Sequence, residues 1–507
     1  MRERKPLPDV EPGFMKKLVP SEPPLHGEEW SKIFADIEPV AFNGNTNWHH
    51  PHFYAYFPTA LSYPSIMADI LSGGISSIGF SYNSSPAMTE LEMSMTDWLA
   101  KAVNLPDNLL NSHEGPGCGI IQSTASDATL VAILAARARA VIKLSEENSR
   151  SLKEKVAPQD GEDFTSNMIK AVQGTVGHLK QKITESVNTR SEKSDLPTTF
   201  KAHDPSLFTS LVAYTSDQGH SSVEKGAMLA GVRIRKIKSN TDNERKNYSI
   251  CPEALEEAIK NDVANGYTPF ILIASVGTTN TCAVDPIEKL GPICNAHNIW
   301  LHVDAAYAGS FALLPEFRYL LKGIEFADSF NFNAHKAMAI NFDCSPMWFK
   351  DATEAVAFFN VDPLYLKHKH QTTSHDYRHL QIALGRRFRS LKIWFVLRSM
   401  GIEGIQKHLR GLITSGERFH QLIAKDERFE LFVPHHVGLT CFRLKNKSNE
   451  ENEKLCNAIN DDRRIHLVPS KVNDTYFLRV VICSQLTTVE DVEVAYKVIV
   501  ELANKYL

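Results

Sequence analysis

From residue 210 onward, short apolar runs alternate with helical patterns, and that alternation narrows the possible folds more than any other feature of the chain. Phe270–Val276, Ile299–Val303 and Ser329–Phe332 are strand candidates, each giving way to polar residues. Parallel neighbours need a crossover of about a dozen residues or more, usually a helix. The pattern therefore predicts an α/β fold with a mostly parallel central sheet. Toward the C-terminus, Val437–Leu444, Ile465–Val468 and Tyr476–Cys483 read as strands flanked by helices, which predicts a separate small α+β lobe. At 507 residues, 43 % apolar and 22 % charged, the chain can bury a large core without a disulfide or metal staple.

Upstream, Ser85 is placed to cap a helix whose first residue is Pro86, with Glu90 and Glu92 in the early turns. Met88, Leu91, Met95, Trp98 and Ala102 then recur at helical spacing. A glycine-rich loop, Gly115-Pro-Gly117-Cys-Gly119, and Ile120-Ile121-Gln122 precede a second helix capped near Thr124–Ser126. Residues 1–62 are rich in proline and aromatics, with one short amphipathic helix around Trp30–Ile37, and read as an extension wrapping something larger. Residues 144–206 turn polar and read as a tolerated surface insertion. Within it Met168, Val172, Val176, Leu179 and Ile183 form a modest helical stripe, and 184–200 are expected to be disordered.

Several function classes fall away. The net charge of −4 is too balanced to advertise a nucleic acid or an anionic membrane as partner. No apolar run approaches the roughly 18 residues of a membrane span. The start, Met1-Arg-Glu-Arg-Lys-Pro6, lacks the apolar stretch of a signal peptide. Eight cysteines stand singly with no C-x-x-C, which suits a reducing, cytoplasmic setting. His49, His50 and His52, or His368, His370 and His375, match no zinc spacing, so no metal is expected. Arg386-Arg387-Phe-Arg389 reads as a helix start held by ion pairs.

Three strand ends carry chemistry. Ile299–Val303 delivers Asp304, Ala305, Ala306 and Tyr307; Ser329–Phe332 delivers Asn333, His335 and Lys336; Phe270–Val276 delivers Gly277-Thr278-Thr279. Ligands of open α/β sheets collect at such ends. A lysine, a carboxylate and hydroxyl-bearing turns on one edge point to a lysine Schiff base with pyridoxal 5′-phosphate: an amine for its aldehyde, an acid for its ring nitrogen, N–H donors for its phosphate. The glycine loop before Thr124-Ala125-Ser126 fits the phosphate role, and reads equally as a turn before an ordinary helix. Asp304 needs a buried partner, which a protonated pyridine or an arginine could supply.

Six segments carry a resemblance: Ala55-Tyr-Phe-Pro-Thr59, Ile78-Gly-Phe-Ser81, Ser216-Asp-Gln-Gly-His220-Ser-Ser222, Leu301-His-Val-Asp304-Ala-Ala-Tyr-Ala-Gly309, Asn331-Phe-Asn-Ala-His-Lys336 and Leu384-Gly-Arg-Arg-Phe-Arg-Ser390. On these, nearly the whole chain outside 144–206 resembles the pyridoxal-phosphate-dependent aromatic L-amino acid decarboxylases, which include DOPA, tyrosine and histidine decarboxylases. The resemblance implies the aspartate-aminotransferase-like fold (type I). It divides the chain into an extension (1–62) packing on a dimer partner, a large cofactor domain (63–390) and a small α+β domain (391–507). It further implies a homodimer with shared active sites that decarboxylates DOPA, tyrosine, tryptophan or 5-hydroxytryptophan to biogenic amines, catecholamines among them.

The resemblance also assigns roles. Lys336 carries the cofactor, Asp304 keeps its ring nitrogen protonated, and His220 and Ala306 take the two ring faces. Ala125, Ser126, Ser222 and Asn333 surround the phosphate, Thr279 lies near the ring, and His335 joins the cofactor site. Trp48, Tyr56, Phe57, Pro58, Thr59, Ile78 and Phe80 form an aromatic side-chain pocket. Tyr365 is the loop tyrosine that protonates the substrate carbon. Relatives that make aldehydes tend to lose that histidine or that tyrosine, so keeping both favours amine formation, with aldehyde synthesis or a catalytically weak regulatory relative as the rivals. Gly385, where histidine decarboxylases have serine, argues against histidine. Ala334, Ala337, Leu380, Ala383, Tyr82-Asn83, Cys118 and Ser123 depart from the family pattern, and the sequence starts after the family's first helix.

Overall fold

The computed structural model describes residues 2–156, 202–242, 244–360 and 376–505. Strand β1 is Cys118–Gln122, β2 Leu211–Ser216, β3 Arg233–Ile237, β4 Ser239–Thr241, β5 Tyr248–Ile250, β6 Thr268–Ser275, β7 Trp300–Asp304, β8 Ser329–Asn331 and β9 Ser345–Phe349. Seven of these form one sheet in the order β1-β9-β8-β7-β6-β2-β3, and β4 and β5 pair separately as a hairpin. The run from β8 to β3 is parallel throughout, and β9 alone is antiparallel to both of its neighbours. Both faces are covered: Ile271 and Ile273 join one apolar cluster, while Leu272 and Ala274 join the other. That two-sided burial explains the continuous apolar runs of the parallel strands.

The helix Pro86–Ala102 begins where its cap signal placed it, with Ser85 extended just before it, although the serine hydroxyl makes no capping bond. The next helix runs Ala125–Val156, so the residues from 144 to 156 continue it; the stripe from Met168 to Ile183 and the stretch 184–200 lie outside the described residues. Trp30–Ile37 is helical, with Trp30 and Phe34 exposed.

The small domain is built on an antiparallel sheet in the order β10-β11-β13-β12, from β10 Phe429–Leu431, β11 Leu439–Leu444, β12 Val468–Val472 and β13 Thr475–Val481. It is reached through the helix Arg389–Ala424, which is broken at Gly401, whose φ is +66°. The strand expected at Ile465–Val468 is displaced. Residues 465–467 leave the sheet to pair with the N-terminal segment: Tyr54 N–H donates to the His466 carbonyl (3.0 Å), and His466 N–H to that of His52 (3.2 Å). Val481 N–H donates to Tyr54 O (3.1 Å), so Phe53, Tyr54 and Ala55 are buried against this chain's own small domain.

Candidate active site

A cavity of about 170 Å³ opens at the carboxyl ends of β6, β7 and β8. β6 contributes Ser275, Gly277, Thr278 and Thr279; β7 contributes Asp304 and Ala306; β8 contributes Asn333 and Lys336. The start of one helix adds Thr124, Ala125 and Ser126, the start of another adds His220, and Phe57 joins from the N-terminal segment.

Local geometry explains each position. Gly277 has φ +91°, and a Cβ there would stand 2.6 Å from that of Ala308, so the turn leaving β6 requires glycine. The Ala306 N–H donates to Asp304 Oδ1 (3.1 Å), and its carbonyl accepts from the Asn333 N–H (3.1 Å), which locks the β7 and β8 ends together. Lys336 sits on the short helix Ala334–Ala337, hung between β8 and β9. The Thr124 hydroxyl accepts from the Asp127 N–H (3.2 Å), while Asp127 accepts from the Thr124 N–H and hydroxyl (3.2 and 2.9 Å). That cap holds the helix N-terminus at the cavity, where free N–H groups and the dipole favour an anion. His220 caps the helix Ser221–Ala230: its Nδ1 accepts from the Ser222 N–H (3.1 Å) and hydroxyl (2.8 Å). The ring proton therefore sits on Nε2.

The glycine loop does not form the phosphate cradle. A Cβ at Gly117 would meet the Asn108 carbonyl at 2.1 Å, and one at Gly119 the Thr96 side chain at 2.6 Å. These glycines serve packing around β1, which separates Gly117 from Thr124.

Burial pushes the Asp304 carboxyl up and the Lys336 amine down, and the attraction between the two opposes both shifts. Burial also lowers His220, with Asp304 opposing and Lys336 reinforcing. A lysine held below its ordinary range is a better nucleophile toward an aldehyde.

Of the residues nominated from sequence, Phe57, Ala125, Ser126, His220, Thr279, Asp304, Ala306, Asn333 and Lys336 line the cavity. Ser222 stands behind His220. The His335 ring turns away, its Nδ1 on the Cys344 N–H (2.9 Å) and its ring in an edge-on, T-shaped contact with Phe342. Trp48 and Thr59 line a different groove with Arg4 and His49, Trp48 stacking on the exposed Tyr56 at 5.4 Å. Pro58 is buried, Phe80 half-buried with its carbonyl on the Arg378 N–H, and Ile78 exposed. Tyr365 lies outside the described residues, as do His368, His370 and His375.

Ser275 and Arg479 were not singled out from sequence, and Thr124 was named only as a helix cap beside the glycine loop. Phe57 stacks on Tyr307 (centroids 3.8 Å apart), with the Lys336 amine 5.5 Å and the Arg479 guanidinium 5.1 Å from its ring. Arg479 is buried, and its Nε and Nη2 have no hydrogen-bond partner among the described residues. An arginine inside the apolar run Tyr476–Cys483 was the available signal, because a buried charge without a partner is costly unless a ligand supplies one.

The family model of the pyridoxal-dependent decarboxylase conserved domain matches residues 12–181 and 187–445. The chain belongs to that family. The aromatic-L-amino-acid decarboxylase of Drosophila melanogaster is 46 % identical over 505 residues, spanning 100 % of this chain and 88 % of the relative. Tryptophan decarboxylase of Catharanthus roseus, solved with L-tryptophan, superposes with a TM-score of 0.82 at 35 % identity, covering 99 % of this chain and 94 % of that one. The 4-hydroxyphenylacetaldehyde synthase of Rhodiola rosea superposes at 0.81 and 31 % identity, with the same coverage.

The cofactor of this pyridoxal-dependent decarboxylase is pyridoxal 5′-phosphate, and the cavity's residues fit it. Asn333 Oδ1 is buried without a partner among the described residues. Asp304 is buried, and Ala306 N–H is a donor to it from the backbone, leaving a carboxylate suited to a protonated ring nitrogen. The helix start at Ala125 suits a phosphate dianion, and Lys336 supplies the amine.

Proposed function

We propose that the protein decarboxylates aromatic L-amino acids, DOPA, tyrosine, tryptophan or 5-hydroxytryptophan, to the corresponding amines. The observation that carries this reading is Phe57, whose ring lies over the Lys336 amine inside the cavity and gives an aromatic substrate a flat apolar neighbour. Identity of 46 % to a protein named aromatic-L-amino-acid decarboxylase supports the substrate class.

When bound, the cofactor supplies an acceptor for the electron pair released as the Cα–carboxylate bond breaks. Lys336 would hold its aldehyde and Asp304 would keep a proton on the ring nitrogen. His220 and Ala306 would bracket the ring, Thr279 would stand beside it, and Ala125, Ser126, Ser222 and Asn333 would hold the phosphate. Arg479, buried and without an ion pair among the described residues, is the cation available for the substrate carboxylate. Tyr365 donates its phenolic proton to Cα. Trp48, Tyr56, Pro58, Thr59, Ile78 and Phe80 complete the substrate pocket across a homodimer interface. Support for the dimer comes from the apolar surface of the helix Tyr63–Ile75, where Tyr63, Met67, Ile70 and Leu71 are exposed. The boundaries 1–62, 63–390 and 391–507 belong to the same reading, as does a cytoplasmic location, for which eight free cysteines speak. No helix among the described residues is long and apolar enough to cross a membrane.

The test is one assay on protein supplied with cofactor and a panel of aromatic amino acids, following carbon dioxide, amine and peroxide together. Carbon dioxide matched by amine, and lost in Lys336→Ala, is the expected result. Carbon dioxide with peroxide and little amine would make the protein an aldehyde synthase, and silence across the panel would sink the proposal.

A further inference from the structure

The loop Gly277–Cys282 does two jobs at once. Its first residues line the cavity, and its far end receives the small domain. The Ser470 hydroxyl on β12 donates to Asn280 Oδ1 (2.7 Å), and His436, just before β11, reaches the Cys282 carbonyl (Nδ1 to O 2.9 Å). On the other side, Asn280 Nδ2 donates to Gln218 Oε1 (3.0 Å), two residues before His220. Gln218 is buried, and its Nε2 donates to Asp217 Oδ1 (3.1 Å).

These bonds have only one direction. A backbone N–H only donates, so Asp217 Oδ1, which takes the Ser239 N–H (3.1 Å), is an acceptor, and Gln218 must turn its NH₂ toward it and its oxygen toward Asn280. Asn280 must then give its NH₂ to Gln218 and its oxygen to Ser470. The chain Asp217–Gln218–Asn280–Ser470 has no degenerate flip. It joins the segment that carries His220 to a small-domain strand, while the loop in its middle forms part of the cavity wall.

We infer that Asn280 is a positioning residue: through Gln218 it sets the His220 ring over the cofactor according to where Ser470 seats the small domain. This rests on the reading of His220 as a ring-stacking group. It also makes a ranking that packing alone would not give. Asn280→Asp is the same size as the parent side chain, yet it faces the Gln218 oxygen with a carboxylate, and Gln218 cannot flip without turning that oxygen on Asp217. Asn280→Ala merely leaves two groups unpaired. The aspartate variant should be the worse of the two.

The experiment compares Asn280→Ala, Asn280→Asp, Ser470→Ala and Ser470→Thr in the full chain with cofactor bound. Visible circular dichroism of the bound cofactor reports ring seating, hydrogen exchange of residues 217–222 in the cofactor-free protein reports the segment, and kcat and KM are measured with the best substrate. Asn280→Ala should lower kcat about five-fold, the order expected for losing the one part-buried hydrogen bond to Gln218, with KM little changed. It should also weaken the dichroic band and speed exchange. Asn280→Asp should exceed it on every readout, Ser470→Ala should follow it in part, and Ser470→Thr, which keeps the hydroxyl, should restore the parent signals. Ser470 is partly exposed on its strand, so its variants remain readable if those at 280 fold poorly. An Asn280→Asp variant milder than Asn280→Ala, or a Ser470→Ala variant with parental dichroism and exchange, would overturn the inference. His220→Asn separates the two levels. If it changes the dichroism and product ratio while the 280 and 470 variants do not, the relay alone falls; if it changes neither, the stacking reading falls and takes the relay with it.

Discussion

Lys336 and Asp304 share one enclosed space, and each makes the other's charge tolerable where burial alone opposes it. Removing either should therefore do more than subtract a contact. Lys336→Ala should lose the cofactor's covalent linkage, read as loss of its visible absorption band on dialysis and of all turnover. Asp304→Asn keeps the shape but removes the charge, and should cut kcat by roughly a hundred-fold or more, the scale seen when a preorganised electrostatic partner is deleted. Arg479→Leu tests the carboxylate assignment: losing a charge-assisted pair should raise KM about ten-fold or more, measured against the parent on one substrate. At this scale the sequence was most readable where a strand end fixes a residue. Asp304, Asn333 and Lys336 follow directly from apolar runs, and all three line the cavity. Phe57 meeting Tyr307 and Arg479 was not readable from spacing, because those contacts join segments hundreds of residues apart. His335, adjacent to the lysine in sequence, points elsewhere because successive residues of one helical turn face different directions.

At the scale of elements, the helix beginning at Ala125 matters to function through its first turn. Thr124→Val removes the hydroxyl that accepts from Asp127 N–H and should cost about 1 kcal/mol, measured by denaturant unfolding. It should also weaken cofactor binding, because the frayed turn no longer presents its N–H groups together. The strands with clean apolar runs were legible to within about two residues, as β6, β7 and β13 show. β9 was not, since Ser345-Pro-Met-Trp-Phe349 is short and contains a proline. It holds its place as the antiparallel insert beside β1, with Pro346 opposite Ile121. The shift from 465 to 468 at the start of β12 has a similar cause: the segment 465–467 carries strand character but spends its hydrogen bonds on the N-terminal segment, a partner that no local pattern reveals.

Across the whole molecule, buried histidines make acid the weak side of the stability profile. Burial drives His302 and His335 down to about 3 and His435 to about 4, against 6.5 in the unfolded chain. Between those values the unfolded state binds the extra protons, so stability is complete above pH 6.5 and falls as pH drops below it. Each group contributes a loss of roughly 1.4 kcal/mol per pH unit in that window. Melting temperature should accordingly fall between about pH 7 and pH 5, and His302→Gln should flatten the slope, as read by thermal melts over that range. The clasp between Tyr54 and residues 466 and 481 bears on how such a chain is made. Phe53, Tyr54 and Ala55 emerge early during synthesis, but the strand that buries them is translated more than four hundred residues later. At about 5–20 residues per second that interval lasts tens of seconds. For all that time an aromatic segment has no home, and Phe57 cannot take its place beside Arg479 until translation has passed residue 479. A segment translated early is thus among the last to find its partners, and protection of the nascent chain over that interval should raise the yield of folded protein.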